Sequence, residues 1–223
     1  MSIRNTTSKN FDVLQQRAAK IVALLKRAYP EAKVALEHRS HLELLIATIL
    51  SAQCTDVRVN IVTKDLFKKY RSASDFANAN LHELEQAIRS TGFYRMKAKN
   101  IMNCCKALVE RHHGKVPDSM EELTQLAGVG RKTANVVLNN AFGIVEGVVV
   151  DTHVSRLSQR LGLTKQTTPE KIELDLMNIF PKKAWMYIDQ LLIWHGRKTC
   201  IARKPKCTKC PVSALCPSAK EFS

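Results

Sequence analysis

No apolar stretch in the chain is long enough to cross a bilayer. The longest, Leu44 to Leu50, spans seven residues, against about 20 for a membrane helix. No secretory signal opens it either: residues 1–10 are polar, and charges continue through the first helical segment. Low-complexity tracts and long linkers are missing, so two lobes would have to share a packed cleft. Strand character is confined to Val148-Val149-Val150, and three residues between helices make no sheet. An odd cysteine count, seven, argues against a simple disulfide framework. The expectation is an all-α protein of the cytoplasm, without targeting signal and without a membrane.

Acidic residues are the scarcest class relative to their opposites. Against 35 Lys+Arg stand 20 Asp+Glu, a formal charge of +15 on 223 residues. Neutralising phosphates releases counterions and steers encounter, so such an excess suits a polyanion. A well-solvated basic surface is the plainer alternative. A hydrophobic content of 45% is enough for real cores, in one large domain or two small ones.

Helical periodicity runs nearly throughout. Phe11, Leu14, Ala18, Ile21, Val22 and Leu25 share one face, and Pro30 ends that helix. Ser40-x-x-Glu43, Asn80-x-x-Glu83 and Ser119-x-x-Glu122 have the form of capping boxes. Gly92 stops the helix begun at Asn80, and another runs from about Arg95 to His112-His113-Gly114. Thr168-Pro169 reads as an N-cap with proline at the first helical position. A last long helix, roughly Lys183 to His195, is expected to stop at Gly196. About ten helices result, and Ile144 to Val150 is the expected crossing between lobes.

Leu123 to Lys132 carries the most chemistry. An amphipathic turn runs into Gly128-Val129-Gly130, and a new helix starts at Arg131. Glycines there allow φ > 0 and close approach of another backbone. The exposed N–H groups of the second helix, at its positive end, form a phosphate-binding geometry. Lys132 stands beside whatever the hairpin grips, and lysine can attack a sugar aldehyde to form a Schiff base. A plain phosphate contact is the alternative for Lys132. Asp151 follows nineteen residues later and precedes a helix, so it could cap that helix or serve as a reacting carboxylate.

Cys200, Cys207, Cys210 and Cys216 give C-x6-C-x2-C-x5-C within 17 residues. Four crowded thiolates repel, so a metal must hold them. Structural zinc is one reading, but such sites usually pair two short C-x(2–4)-C knuckles. Only one pair here is short, and a four-iron cluster suits the wider loops better. Arg203, Lys204, Lys206 and Lys209 make the loop basic, for a phosphate contact or to offset the charge of cluster and thiolates. Cys54, Cys104 and Cys105 fall on apolar helix faces and read as inert core thiols.

With Leu-Ala-Gly-Val-Gly-Arg-Lys-Thr-Ala-Asn (126–135), Val-Asp-Thr-His-Val (150–154) and the quartet together, the chain closely resembles the endonuclease III family. These are DNA repair glycosylase/lyases of the helix-hairpin-helix superfamily. The likeness runs from about Pro30 to the last cysteine and includes Ser51-Ala52-Gln53 and Thr91-Gly92-Phe93-Tyr94. It implies a cleft between a six-helix domain at residues 33–145 and a discontinuous domain, residues 1–32 and 146–223, carrying a [4Fe-4S] cluster on the four cysteines. It implies Lys132 as nucleophile and Asp151 as its carboxylate partner. Gln53 and Phe93 would fill the gap left by an everted base; Gly128, Val129, Gly130, Arg131 and Lys204 would contact DNA. For Gln53 the plainer alternative is a buried polar group at a helix end. Three differences stand out. Ala127 replaces a common proline, residues 144–149 are one residue longer, and Phe93 is bulkier than the usual leucine.

The implied activity is removal of oxidised pyrimidines from double-stranded DNA, then β-elimination at the abasic site, by a monomer. A monofunctional glycosylase would share fold and quartet but typically lacks the lysine. A non-catalytic DNA-binding or redox module would yield no product.

Overall fold

A computed structural model of the chain describes residues 3–32 and 34–222, with side chains from residue 11 onward. The elements in order are α1 (Ile3–Ala28), α2 (His41–Leu50), α3 (Asp56–Lys69), α4 (Ala73–Ala77), α5 (Leu81–Ala87), α6 (Tyr94–His112), α7 (Met120–Thr124), α8 (Arg131–Val137), α9 (Thr152–Arg160), α10 (Pro169–Ile179) and α11 (Lys182–Lys198). Short 3₁₀ turns lie at Arg89–Thr91, Cys207–Lys209, Ser213–Leu215 and Pro217–Glu221, and a π-helical turn at Leu138–Phe142. The fold is all-α: no strand occurs among the described residues, Val148 to Val150 included. Nor is any described helix long and apolar enough to cross a membrane.

Two compact units divide the chain, one of Met1–Lys33 with Gly147–Ser223 and one of Val34–Glu146. In the second, α2 buries every residue from Leu44 to Leu50, and α6 buries Ala98, Ile101, Cys104, Cys105 and Leu108. The spacing of the α6 set is one helical stripe, against which α4 and α5 pack. Burial pushes the Cys104 thiol up to about 12 and raises Cys105 as well, so both are apolar filling. Cys54, expected on a helix face, lies instead in the half-buried turn between α2 and α3. The helix starts follow their caps. Ser40, Asn80 and Ser119 each accept from the backbone N–H three residues on. Glu43 reaches back to Arg39 N at 2.6 Å, one residue beyond the cap of a reciprocal box. The complete box is at Ser72 and Asp75, where each side chain accepts from the other's backbone.

The other unit gathers around α1, whose Ala18, Ile21, Val22 and Leu25 are buried among α10 and α11 side chains. α11 does not stop at Gly196 but continues to Lys198. The glycine serves packing instead. A Cβ there would stand 2.9 Å from His153 Nδ1 and 3.1 Å from Arg156 Nη2, both on α9. Gly196→Ala should therefore force α9 and α11 apart and cost about 1–3 kcal/mol, as overpacked cores do. Urea unfolding would read the loss; an unchanged midpoint would show that the helices have room to spare.

Candidate active site and metal centre

Within the Val34–Glu146 unit, the hairpin is α7, the turn through Gly128 to Gly130, and α8. Gly128 has φ +78°, and a Cβ on it would meet Asn100 Cβ of α6 at 2.9 Å, so the turn is closed tightly on the helix beneath. Val129 N–H donates to Leu126 O at 3.1 Å and its side chain is buried, so Val129 anchors the turn from inside. Gly130 is the N-cap of α8 and offers no side chain to occupy the first N–H groups. Gly128, Gly130, Arg131 and Lys132 are exposed. Lys132 thus projects from the first turn of α8, beside uncapped backbone donors.

Gln53 and Phe93 share a backbone feature. With His113 they are the non-glycine residues of positive φ among those described, at 53° and 48°. A non-glycine side chain held there costs about 1–3 kcal/mol, which surrounding structure must offset. Gln53 follows the end of α2 and is exposed, not buried at the helix end. Phe93 is the N-cap of α6 and leaves 60% of its surface to solvent. An apolar ring so presented gains nothing from the fold itself.

Asp151, in the other unit, caps α9. Its Oδ1 accepts from Val154 N–H at 2.8 Å, which fixes the carboxylate and leaves Oδ2 for other work. Its charge reaches further along the same unit. Burial chiefly, with Asp151 a smaller contributor, pushes Asp189 of α11 up to about 7.

The four cysteines ring one pocket, with Pro205 and Lys206 among its other lining residues. Four thiols around a shared space, with no disulfide between them, suit a multi-iron cluster. Burial, then the charges of Cys200, Cys216 and Cys207, raise the Cys210 thiol above its ordinary value. Iron would relieve that repulsion. Burial also draws His195 down to about 4, keeping the imidazole neutral. Its Nδ1 lies 2.9 Å from Tyr29 Oη and its Nε2 3.5 Å from Cys210 Sγ. With Tyr29 O–H donating to Nδ1, Nε2–H is left to donate to the sulfur.

Sequence reasoning did not anticipate the arginines that hold this loop. Arg160 of α9 donates to Ile201 O at 2.9 Å and Ala202 O at 2.7 Å, with Nη1 3.4 Å from Cys200 Sγ. Arg156, one turn earlier, donates to Cys200 O at 3.1 Å. Arg17 of α1 donates to Leu161 O at 2.6 Å and Leu215 O at 2.9 Å. The i, i+4 pair Arg156 and Arg160, just after Asp151, was the legible signal. Lys204 is exposed on the loop so held. Charge-assisted bonds to carbonyls contribute about 1.5–3 kcal/mol, so Arg160→Leu should speed chelator stripping of iron at least about tenfold. Bleaching of the cluster's visible absorbance measures this; an unchanged rate would mean the loop holds itself.

Residues 46–182 match the HhH-GPD superfamily base excision DNA repair proteins, and residues 200–216 match the iron-sulfur binding domain of endonuclease III. The chain is 54% identical over 206 residues to Endonuclease III of Synechocystis sp. (strain ATCC 27184 / PCC 6803 / Kazusa), covering 92% of this chain and 94% of that one. Among solved structures it resembles a non-covalent endonuclease III–DNA complex and a trapped endonuclease III–DNA covalent intermediate. Each has a TM-score of 0.88 and 45% identity, over 93% of this chain and 97% of the other.

Proposed function

Because the chain belongs to the endonuclease III family of HhH-GPD base excision DNA repair proteins, we propose that it excises oxidised pyrimidines from duplex DNA and then cleaves the strand 3′ to the abasic site. The observation that carries this reading is the exposed amine of Lys132 in the first turn of the hairpin's second helix. A binding module would use that amine only as a phosphate contact and would yield no product. A monofunctional glycosylase would not cut the strand through it.

The target base must first leave the stack, at a cost of a few kcal/mol that damaged, poorly stacked pyrimidines lower. Gln53 and Phe93 fill the space vacated, and the backbone of Gly128 to Gly130, with Arg131, holds a phosphate of the distorted strand. Lys132 Nζ, in its neutral form, attacks C1′ of the deoxyribose. The bond between C1′ and the base nitrogen breaks, and the base departs with the electron pair and gains a proton. Asp151, held by its bond to Val154 N–H, accepts a proton from the amine and stabilises positive charge developing on the sugar. Opening of the sugar ring leaves a protonated imine between Lys132 and C1′, which acidifies C2′. Loss of a C2′ proton expels the 3′ phosphate, and water then releases the lysine from the imine.

Cys200, Cys207, Cys210 and Cys216 would hold the [4Fe-4S] cluster, whose contribution when bound is to fold the loop and neutralise its thiolates. Lys204 then meets a phosphate from a rigid support. The enzyme acts as a monomer in the cytoplasm, with the nucleoid.

Duplexes containing thymine glycol, scored separately for free base and for strand scission, test the reading. Wild type should yield both. Lys132→Gln should abolish scission, and Asp151→Asn should slow base release by about 10²–10⁴-fold, the usual contribution of a positioned acid–base group. Scission that survives Lys132→Gln would exclude the assigned nucleophile. Neither product, from protein that binds DNA and holds its iron, would favour a binding module.

A further inference from the structure

Lys97 lies on α6 and takes no part in the chemistry above. It is only 3% exposed. A buried cation is expensive unless its donors are met. Here Nζ donates to Leu50 O and to Thr91 O, each at 2.8 Å. Leu50 ends α2, and Thr91 ends the Arg89–Thr91 3₁₀ turn, so the ammonium sits at the negative ends of two helical segments at once. Three residues beyond Leu50 is Gln53, and two beyond Thr91 is Phe93. Both are held with positive φ, and both are exposed. Burial draws the lysine's pKa below its ordinary value and the neighbouring Cys54 opposes the shift. An ammonium or a neutral amine supplies two donors, so the bridge survives either way.

We infer that Lys97 is a positioning residue: it fastens the Gln53 and Phe93 loops to one another, so that the two side chains enter the duplex as a single preset wedge. This rests on the reading that Gln53 and Phe93 fill the gap left by the everted base. The sequence distance between the loops, some forty residues, leaves them no local connection; the Lys97 side chain provides one through the unit's core. Preset loops need not be ordered during eversion, which is where their rigidity would speed the reaction.

A single-stranded abasic site needs no wedge, because there is no stack to open. The assay therefore compares base release from a thymine glycol duplex with β-elimination on a single-stranded abasic oligonucleotide. The proteins are wild type, Lys97→Met, Lys97→Arg, Gln53→Ala and Phe93→Ala, all holding their iron. Lys97→Met should lose about tenfold or more on the duplex while changing the single-stranded rate by no more than about twofold, and Lys97→Arg should recover most of the loss. A merely structural role would lower both rates together and overturn the assignment. So would duplex-specific loss in Gln53→Ala and Phe93→Ala without loss in Lys97→Met, with the wedge itself left standing. No duplex-specific loss in either alanine variant would remove the wedge reading, and this inference with it. Should Lys97→Met fail to fold, hydrogen exchange on wild-type protein serves. Residues 51–54 and 91–94 should open in one concerted step, and separate opening rates would overturn the proposal.

Discussion

Helix ends govern this molecule. An all-helical chain satisfies its backbone internally except at the first and last turns, and each terminus must find partners elsewhere. In this chain the residues of interest stand at those termini. Lys132 is in the uncapped first turn of α8, and Asp151 is the cap of α9. Phe93 is the N-cap of α6, Gln53 follows α2, and Cys200 follows α11. Under the proposed function, the side chains at these termini are the ones that meet phosphate, sugar or metal. Where protein supplies the partner instead, as Lys97 does for Leu50 and Thr91, the result is stiffness.

The cluster loop shows the same economy in the other unit. Its 17 residues from Cys200 to Cys216 contain three-residue 3₁₀ turns at Cys207–Lys209 and Ser213–Leu215 and no longer helix. Such a segment cannot order itself against its own chain entropy. Guanidinium groups from α1 and α9 bind its carbonyls, and thiolates on iron would hold it from within. The loop's own cations, Lys204 among them, are left exposed. Metal and arginines do here what a hydrophobic core does elsewhere, in a segment too short and too basic to build one.

Much of this was legible in residues. Periodicity and caps located the helices because local hydrogen bonds decide where a helix starts, as at Ser40, Asn80 and Ser119. Spacing alone drew attention to the four cysteines and the Gly128–Lys132 turn. Gly196 misled, because a glycine that ends a helix and one that admits a neighbour look alike until α9 is seen against it. Arg17 and Lys97 could not be found by pattern. Their partners are backbone carbonyls distant in sequence, and carbonyls carry no sequence signature. Positive φ at Gln53 and Phe93 was equally silent, since neither residue type favours it.

The proposed chemistry requires a covalent bond between Lys132 and the deoxyribose. Borohydride reduction of the protein on duplex DNA carrying an abasic site tests it most directly, with Lys132→Ala in parallel. Reduction converts the imine to a stable amine, so wild type should give a protein–DNA adduct and the variant none. An adduct that persists in Lys132→Ala, or its absence from wild-type protein that holds its iron and binds the duplex, would contradict it.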